Sequence, residues 1–241
     1  MLPFEQKLRT RKPSPKILSW AFSFALFHYF VSPLSSLANS DKTSEYQPPF
    51  EPKSWVSLSF QKIPANEIVF SKNEISVKVN SSAGPLVHSL PEKKLVSRIQ
   101  ARGFLVGDKK QEAGDFDEDS IFRLGLVTPG KHTLTGPKRW FAAPWLKTLF
   151  SLAPEGTGID SVQFLFVSNR ETLDGKTRIH PLSKFLHEQV SSVLKMDKTF
   201  KVEKSFEPPL EVLALWVSID GDDSKSAFET KIEEIRLTHS P

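Results

Sequence analysis

The chain has 241 residues, and its formal net charge of +4 lies entirely in residues 1–38, which hold five of the 32 basic residues and one of the 28 acidic residues. The remaining chain is neutral, which excludes electrostatic binding of nucleic acid as its default function. A composition of 39% hydrophobic and 25% charged residues excludes a disordered or multi-span membrane chain, and the absence of cysteine excludes a disulfide scaffold, a thiol nucleophile and Cys-ligated zinc.

A secretory signal peptide is predicted over residues 1–38. A basic stretch precedes an apolar run, Ile17–Val31, and the small residues Ser36 and Ala38 precede the expected cleavage site, so the mature chain is expected to begin at Asn39. The apolar run is shorter than the roughly 20 residues that span a bilayer, which favours cleavage. The leader predicts a periplasmic or extracellular location. The alternative is an uncleaved inner-membrane anchor, in which case the leader is the membrane contact.

Strand patterns dominate the mature chain. Residues 39–53 are polar and proline-rich without periodicity, which predicts an extended lead-in, and one domain is expected over residues 54–241. Its last long apolar run, Leu210–Ile219, is apolar on both faces and predicts a central strand buried on both sides. The predicted strands, from alternation and bounding turn residues, are Val56–Phe60, Glu74–Asn80, Lys94–Gly107, Ser120–Val127, Ser161–Val167, Leu210–Ile219 and Lys231–Leu237.

Two short helices are predicted between these strands. After Pro181, apolar residues recur at three- and four-residue spacing, which predicts an amphipathic helix over Leu182–Leu194. A shorter helix is expected over Pro144–Leu152. Many short strands with one or two short helices predict an all-β fold, an antiparallel β-sandwich or jelly roll.

Two acidic turns are candidate calcium sites, because carboxylates grouped on a loop can converge on a hard cation such as Ca²⁺. The alternative is that Asp and Gly only end strands and form turns. The EF-hand spacing is not met. The sequence leaves open whether the two turns meet in space. The candidate metal ligands are Asp115, Asp117 and Asp119 in the first turn and Asp220, Asp222 and Asp223 in the second.

An aromatic segment among basic residues supplies candidate ligand-binding residues, Arg139, Trp140 and Trp145. Indole rings stack on the apolar faces of sugars, while neighbouring polar groups bind hydroxyls. The alternative is that one or both Trp residues cap the core. The basic neighbours would equally suit an acidic glycan or a phosphate.

Motifs of several large enzyme classes are absent from the sequence. There is no HExxH, GxSxG, GxxxxGK[ST] or GxGxxG, so zinc hydrolases, α/β-hydrolases and nucleotide-binding enzymes have no support. Paired Asp and Glu residues keep a polysaccharide hydrolase or lyase as an alternative.

Three segments occur in the order of a bacterial secreted family known as domain of unknown function three thousand and forty-seven, which the chain resembles from Trp55 to Leu237. They are DEDSIFRLGLV from Asp117, SVQFLFVSNRETLDGKTRIHP from Ser161 and LALWVSIDGDDSKSAFETKIEEIRL from Leu213. The residues that match the family's two Asp elements are Asp119, Arg123, Asp220, Asp222, Asp223 and Ser224.

The late strand, Asp turn and closing strand also resemble carbohydrate-binding modules with a galactose-binding-like jelly roll. That resemblance implies a sandwich with a structural Ca²⁺ near its edge and aromatic residues at the ligand. We therefore predict an exported, non-catalytic module that binds a glycan or another component of the cell envelope, with no nucleic-acid partner. A structural, protein-interaction domain without a small ligand is a further alternative.

Overall fold

The computed structural model describes residues 43–136, 140, 142, 144–153, 157–181 and 183–240. Residue contacts divide the chain into Met1–Asn39 and Ser40–Pro241, and the description concerns the second unit. The predicted signal peptide lies outside the described residues. The elements are β1 (Ser44–Tyr46), β2 (Val56–Ser57), β3 (Glu67–Ser71), β4 (Glu74–Asn80), β5 (Leu86–Asp108), β6 (Phe122–Gly130), α1 (Pro144–Ser151), β7 (Gly158–Ser168), β8 (Thr177–Ile179), β9 (Leu186–Val193), β10 (Thr199–Ser218) and β11 (Ala227–Ser240).

The strands form one continuous sheet in the order β3-β4-β11-β5-β10-β6-β7-β9-β8, with β1 on β11 and β2 on β5. Pairing is antiparallel apart from the parallel pair β7 and β9. The predicted all-β, antiparallel architecture is confirmed. Among the described residues, no helix is long and apolar enough to span a membrane.

The long strand β10 folds back on itself and makes the sheet a sandwich. Its end at Ser218 pairs with Arg123, the neighbour of Phe122. The Phe122 ring nevertheless stacks on Phe200, at the other end of β10, with 5.0 Å between ring centroids. A straight strand would separate these ends by roughly 60 Å at about 3.3 Å per residue. Register shifts between β10 and β5, at Ser205/Leu210 and Val212/Ala214, mark the bends.

The second half of β10 is buried on both faces. Leu215 and Val217 belong to the main core between the two layers of the sandwich, whereas Ala214 and Trp216 belong to a second apolar cluster on the opposite face. The strand lies between β5 and β6. The predicted central strand is therefore confirmed. Helix α1 packs on the second cluster, with Leu149 buried.

The helix predicted over Leu182–Leu194 is wrong, because residues 186–193 form strand β9. Its pairing with β7 places Phe166 opposite Val190 and Val167 opposite Ser192, so Ser191 is an extra residue in a β-bulge. A bulge breaks the period of two. The apolar spacing of this segment then imitates a helix. Leu182 itself lies outside the described residues.

The other local predictions differ from the structure mainly in their bounds. The helix expected over Pro144–Leu152 is confirmed as α1. The strand expected over Val56–Phe60 shortens to β2. The lead-in contains the short strand β1, which pairs with β11.

Candidate functional site

A row of residues crosses four strands on the face that carries the second apolar cluster. Trp216 of β10 lies opposite Gly125 of β6, which lies opposite Phe164 of β7, which lies opposite Glu188 of β9. Residues directly opposite one another share a face of the sheet. An added Cβ at Gly125 would lie only 2.6 Å from Cε1 of Phe164. The absence of a side chain on β6 therefore makes room for the two aromatic rings, which meet edge to face at 6.5 Å.

Helix α1 adds a third aromatic ring to this row. Trp145 and Leu149 are four residues apart and so lie on one face of the helix. Leu149 is buried in the cluster and holds the helix against the sheet. Trp145 is half-buried, and its ring contacts Trp216 edge to face at 6.1 Å. Part of the Trp145 surface thus remains accessible.

The aromatic rings form one side of a groove of about 350 Å³ whose other side carries carboxylates. We call it the aromatic–acidic groove and define it by Trp145, Phe164, Trp216, Asp119, Asp222 and Asp223.

The two acidic turns meet at this groove, which answers the question that the sequence left open. Asp119, in the loop before β6, is fully buried. Its carboxylate accepts hydrogen bonds from the backbone N–H groups of Asp223 (3.1 Å) and Ser224 (2.6 Å), in the loop after β10. Carboxylate oxygens of Asp119, Asp222 and Asp223 all lie within 4.8 Å of one another.

Crowding of these carboxylates disfavours their charged forms. The pKa of Asp222 is raised to about 6, first by burial and then by the negative charges of Asp223 and Asp119. Burial and Asp119 also raise the pKa of Asp223. Three such oxygens suit a hard cation such as Ca²⁺, which takes six to eight oxygen ligands, so water or ligand hydroxyls would supply the others.

Two arginines form ion pairs with carboxylates in and next to the groove. Arg178 forms an ion pair with the buried Glu188 (2.6 Å) and binds both carboxylate oxygens of Glu118 (2.7 and 3.1 Å). This pairing lowers the pKa of Glu118. Arg123 Nη1 lies 3.7 Å from Asp220 Oδ2, and Nη2 donates to the carbonyl of Glu118 at 3.0 Å. Each of these three carboxylates therefore lies within ion-pair distance of an arginine.

One donor of Arg123 remains unused. Its Nε lies 3.4 Å from Oε1 of Glu188, but the geometry is not that of a hydrogen bond, and within the described part of the chain neither atom has a hydrogen-bond partner. The Arg123 side chain is only 9% exposed and lines the groove. Burial of an unpaired donor beside an unpaired acceptor costs free energy.

The other predicted metal ligands lie apart from the three-carboxylate cluster. Asp117 is fully buried, pairs with Arg170 at 3.1 Å and accepts a hydrogen bond from Ser168 at 2.7 Å. Asp115 is exposed. Asp220 lines the groove but is bonded to hydroxyls of neighbouring serines, and burial raises its pKa.

Of the three predicted ligand-binding residues, two lie in the part of the chain that the structure describes, and one of these lines the groove. Trp145 lines the groove, whereas Trp140 is 82% exposed and is not among the groove's lining residues. Arg139 lies outside the described residues. The sequence analysis did not single out Trp216 and Phe164, because both lie in strands whose apolar residues are all expected to belong to the core.

The fold and the groove define a class, an all-β protein whose bent, mainly antiparallel sheet carries an aromatic and acidic surface groove. No protein-family model and no curated protein matches the chain. Among solved structures it is similar to a family 11 carbohydrate-binding module from Clostridium thermocellum in complex with a β-1,3-1,4-mixed-linked tetrasaccharide, at 9% identity and TM-score 0.41, over 81% of this chain and 94% of that chain. It is also similar to PfGH50B, at 9% identity and TM-score 0.29, over 78% of this chain and 23% of that chain. Likeness at this level identifies neither a family nor a ligand.

Proposed function

We propose that this protein is an exported, non-catalytic module that binds a glycan in the aromatic–acidic groove. The observation that carries the proposal is the half-buried Trp145, which lines the same groove as Asp222 and Asp223. A sugar ring has apolar C–H faces and polar hydroxyl edges, so it needs an aromatic surface beside hydrogen-bonding groups.

The carboxylates of the groove supply hydrogen-bond acceptors. Asp222 and Asp223 line the groove and accept hydrogen bonds from sugar hydroxyls. Asp119 holds the loop of Asp222 and Asp223 through two backbone hydrogen bonds, so that these acceptors are preorganised. The same three carboxylates are candidate ligands for Ca²⁺.

Two Trp substitutions test the proposal. An array of neutral, amino and acidic oligosaccharides is probed with the full chain, and the best glycan is titrated by calorimetry. We expect Trp145→Ala to weaken binding about tenfold, as lost aromatic stacking predicts. Trp140→Ala is the matched control, because Trp140 is exposed outside the groove. Equal binding by the wild type and Trp145→Ala, or no glycan bound at all, would overturn the proposal.

A polysaccharide hydrolase is the second candidate, and one observation favours it. Burial and neighbouring charges raise the pKa of Asp222 to about 6, a range used by general acids, and Asp223 lies beside it. Release of reducing ends from the bound glycan would establish hydrolysis, and its loss in Asp222→Asn would assign the acid. A bound glycan that stays intact supports the binding module.

Export is part of the proposal and has its own test. The leader over residues 1–38 predicts a mature chain that begins at Asn39. N-terminal sequencing of the protein from the periplasm or culture medium should find this start, whereas an intact leader in the inner-membrane fraction would indicate an anchor. Membership of the secreted family of unknown function rests on the short motifs around Asp119 and Asp220 and stays a prediction.

A further inference from the structure

The charges of the aromatic–acidic groove are unevenly compensated, and the imbalance identifies a class of glycan. Resting on the glycan-binding function proposed above, we propose that the preferred ligand is a sugar carrying a free amine, such as a glucosamine oligosaccharide, with its ammonium group at Asp222 and Asp223 and its ring on Trp145.

Three other carboxylates in and next to the groove, those of Glu118, Glu188 and Asp220, are already paired. Arg178 is bound to Glu118 and Glu188, and Arg123 lies beside Glu188 and Asp220. These two guanidinium groups therefore have no charge left for a further carboxylate.

None of the described lysines and arginines forms an ion pair with the carboxylates of Asp119, Asp222 or Asp223, and the charge of Lys225 lowers the pKa of Asp223 less than burial and Asp119 raise it. Lys225, which follows in the same loop, donates to the backbone carbonyl of Asp222 rather than to a carboxylate. His180 lines the groove as well, but burial lowers its pKa, so it is mainly neutral at neutral pH. Three carboxylates whose oxygens lie within 4.8 Å of one another are thus left without an ion-pair partner among these residues.

The aromatic ring beside the carboxylates distinguishes an amino sugar from a simple cation. The ring of Trp145 offers an aromatic surface both to sugar C–H groups and to a positive charge. An amino sugar satisfies the carboxylates and the ring together, whereas a uronic acid would place a fourth negative charge among them.

Calorimetry of the full chain with four trisaccharides tests this preference. The probes contain glucosamine, N-acetylglucosamine, glucose or galacturonic acid, in 0.15 M NaCl with a chelator that removes divalent cations. We expect the glucosamine trisaccharide to bind at least about tenfold more tightly than its N-acetylated counterpart, as charge-assisted hydrogen bonds predict. The galacturonic trisaccharide should give no measurable heat.

Substitutions in the second turn locate the effect. Asp222→Asn with Asp223→Asn should reduce the preference for the amine to less than about threefold, because only neutral hydrogen bonds remain. Asp174→Asn, at an exposed position outside the groove, is the control and should keep the full preference. If the double variant does not fold, the single Asp223→Asn, also at an exposed position, carries the test.

The outcomes separate this inference from the function on which it rests. Equal binding of the glucosamine and glucose trisaccharides overturns the amine preference and leaves the glycan-binding function in place. A preference that survives the double substitution also overturns it, since the charge would then be recognised elsewhere. Absence of binding to every oligosaccharide overturns the glycan-binding function itself.

Discussion

The two acidic turns have nearly the same composition, but the electrostatics of Asp117 and Glu118 in the first differ from those of Asp222 and Asp223 in the second. In the first turn, Asp117 pairs with Arg170 and Glu118 with Arg178. In the second turn, Asp222 and Asp223 have raised pKa values and no ion pair with a described lysine or arginine. The compensating arginines of the first turn lie more than 50 positions further along the sequence. Whether a run of carboxylates is structural or available to a ligand therefore depends on whether arginines from distant parts of the sequence pack beside it.

The largest effect is expected from breaking the first turn. Asp117→Ala removes a fully buried carboxylate and leaves Arg170 without its partner, so we expect a loss of about 3 kcal/mol in the free energy of unfolding. Urea denaturation measures it. Asp115→Ala, two residues earlier and exposed, should stay within about 0.5 kcal/mol of the wild type. Similar losses for both would show that the ion pair of Asp117 contributes little.

A smaller effect is expected where the turns join. Asp119→Ala removes two acceptors for backbone N–H groups of the second turn, which should cost about 1–2 kcal/mol. Faster amide exchange at Asp223 and Ser224 should accompany it, since those two donors lose their partner. Unchanged exchange at both amides would show that Asp119 does not hold the loop.

Calcium should distinguish the turns from each other. If the second turn binds Ca²⁺ with a Kd of about 1 mM, typical of weak extracellular sites, 10 mM Ca²⁺ should stabilise the fold by about 1.4 kcal/mol. Asp222→Ala should abolish this gain, whereas Asp115→Ala should keep it. Ca²⁺ should also compete with the glucosamine trisaccharide. A flat calorimetric trace with the wild type would mean that the cluster does not bind this cation.

The smallest effect has the opposite sign. Asp222→Asn relieves repulsion among partly exposed carboxylates, so the protein should gain a few tenths of a kcal/mol in stability. Asp117→Asn in the first turn should instead destabilise it. Destabilisation by both substitutions would remove the contrast between the turns.

Alternating strands were well predicted because their burial follows directly from the period of two. Glu74–Asn80 matches β4, and the doubly apolar Leu210–Ile219 is the buried half of β10. Strand β9 was mistaken for a helix because its bulge at Ser191 depends on pairing with β7, which the local pattern does not contain. Regular local structure can thus be predicted from the sequence, whereas a bulge that depends on tertiary pairing cannot.

The site was predictable only in pieces. Trp145 and the carboxylates of Asp119, Asp222 and Asp223 were singled out from local composition, but their meeting depends on the folding of the sheet. Trp216 carries no local signal that separates it from core residues. Arg178 and Glu188 acquire their roles only through contacts between β8, β9 and the loop before β6.

Gly125 contributes to this groove because it has no side chain. A methyl group at that position would press on the ring of Phe164 and on Val162. The position of the Phe164 ring therefore depends on the smallest residue in the row. Because Gly and Ala codons differ by a single nucleotide, one mutation is enough to displace a ring that lines the groove. The shape of the groove is then open to change without altering any residue that lines it.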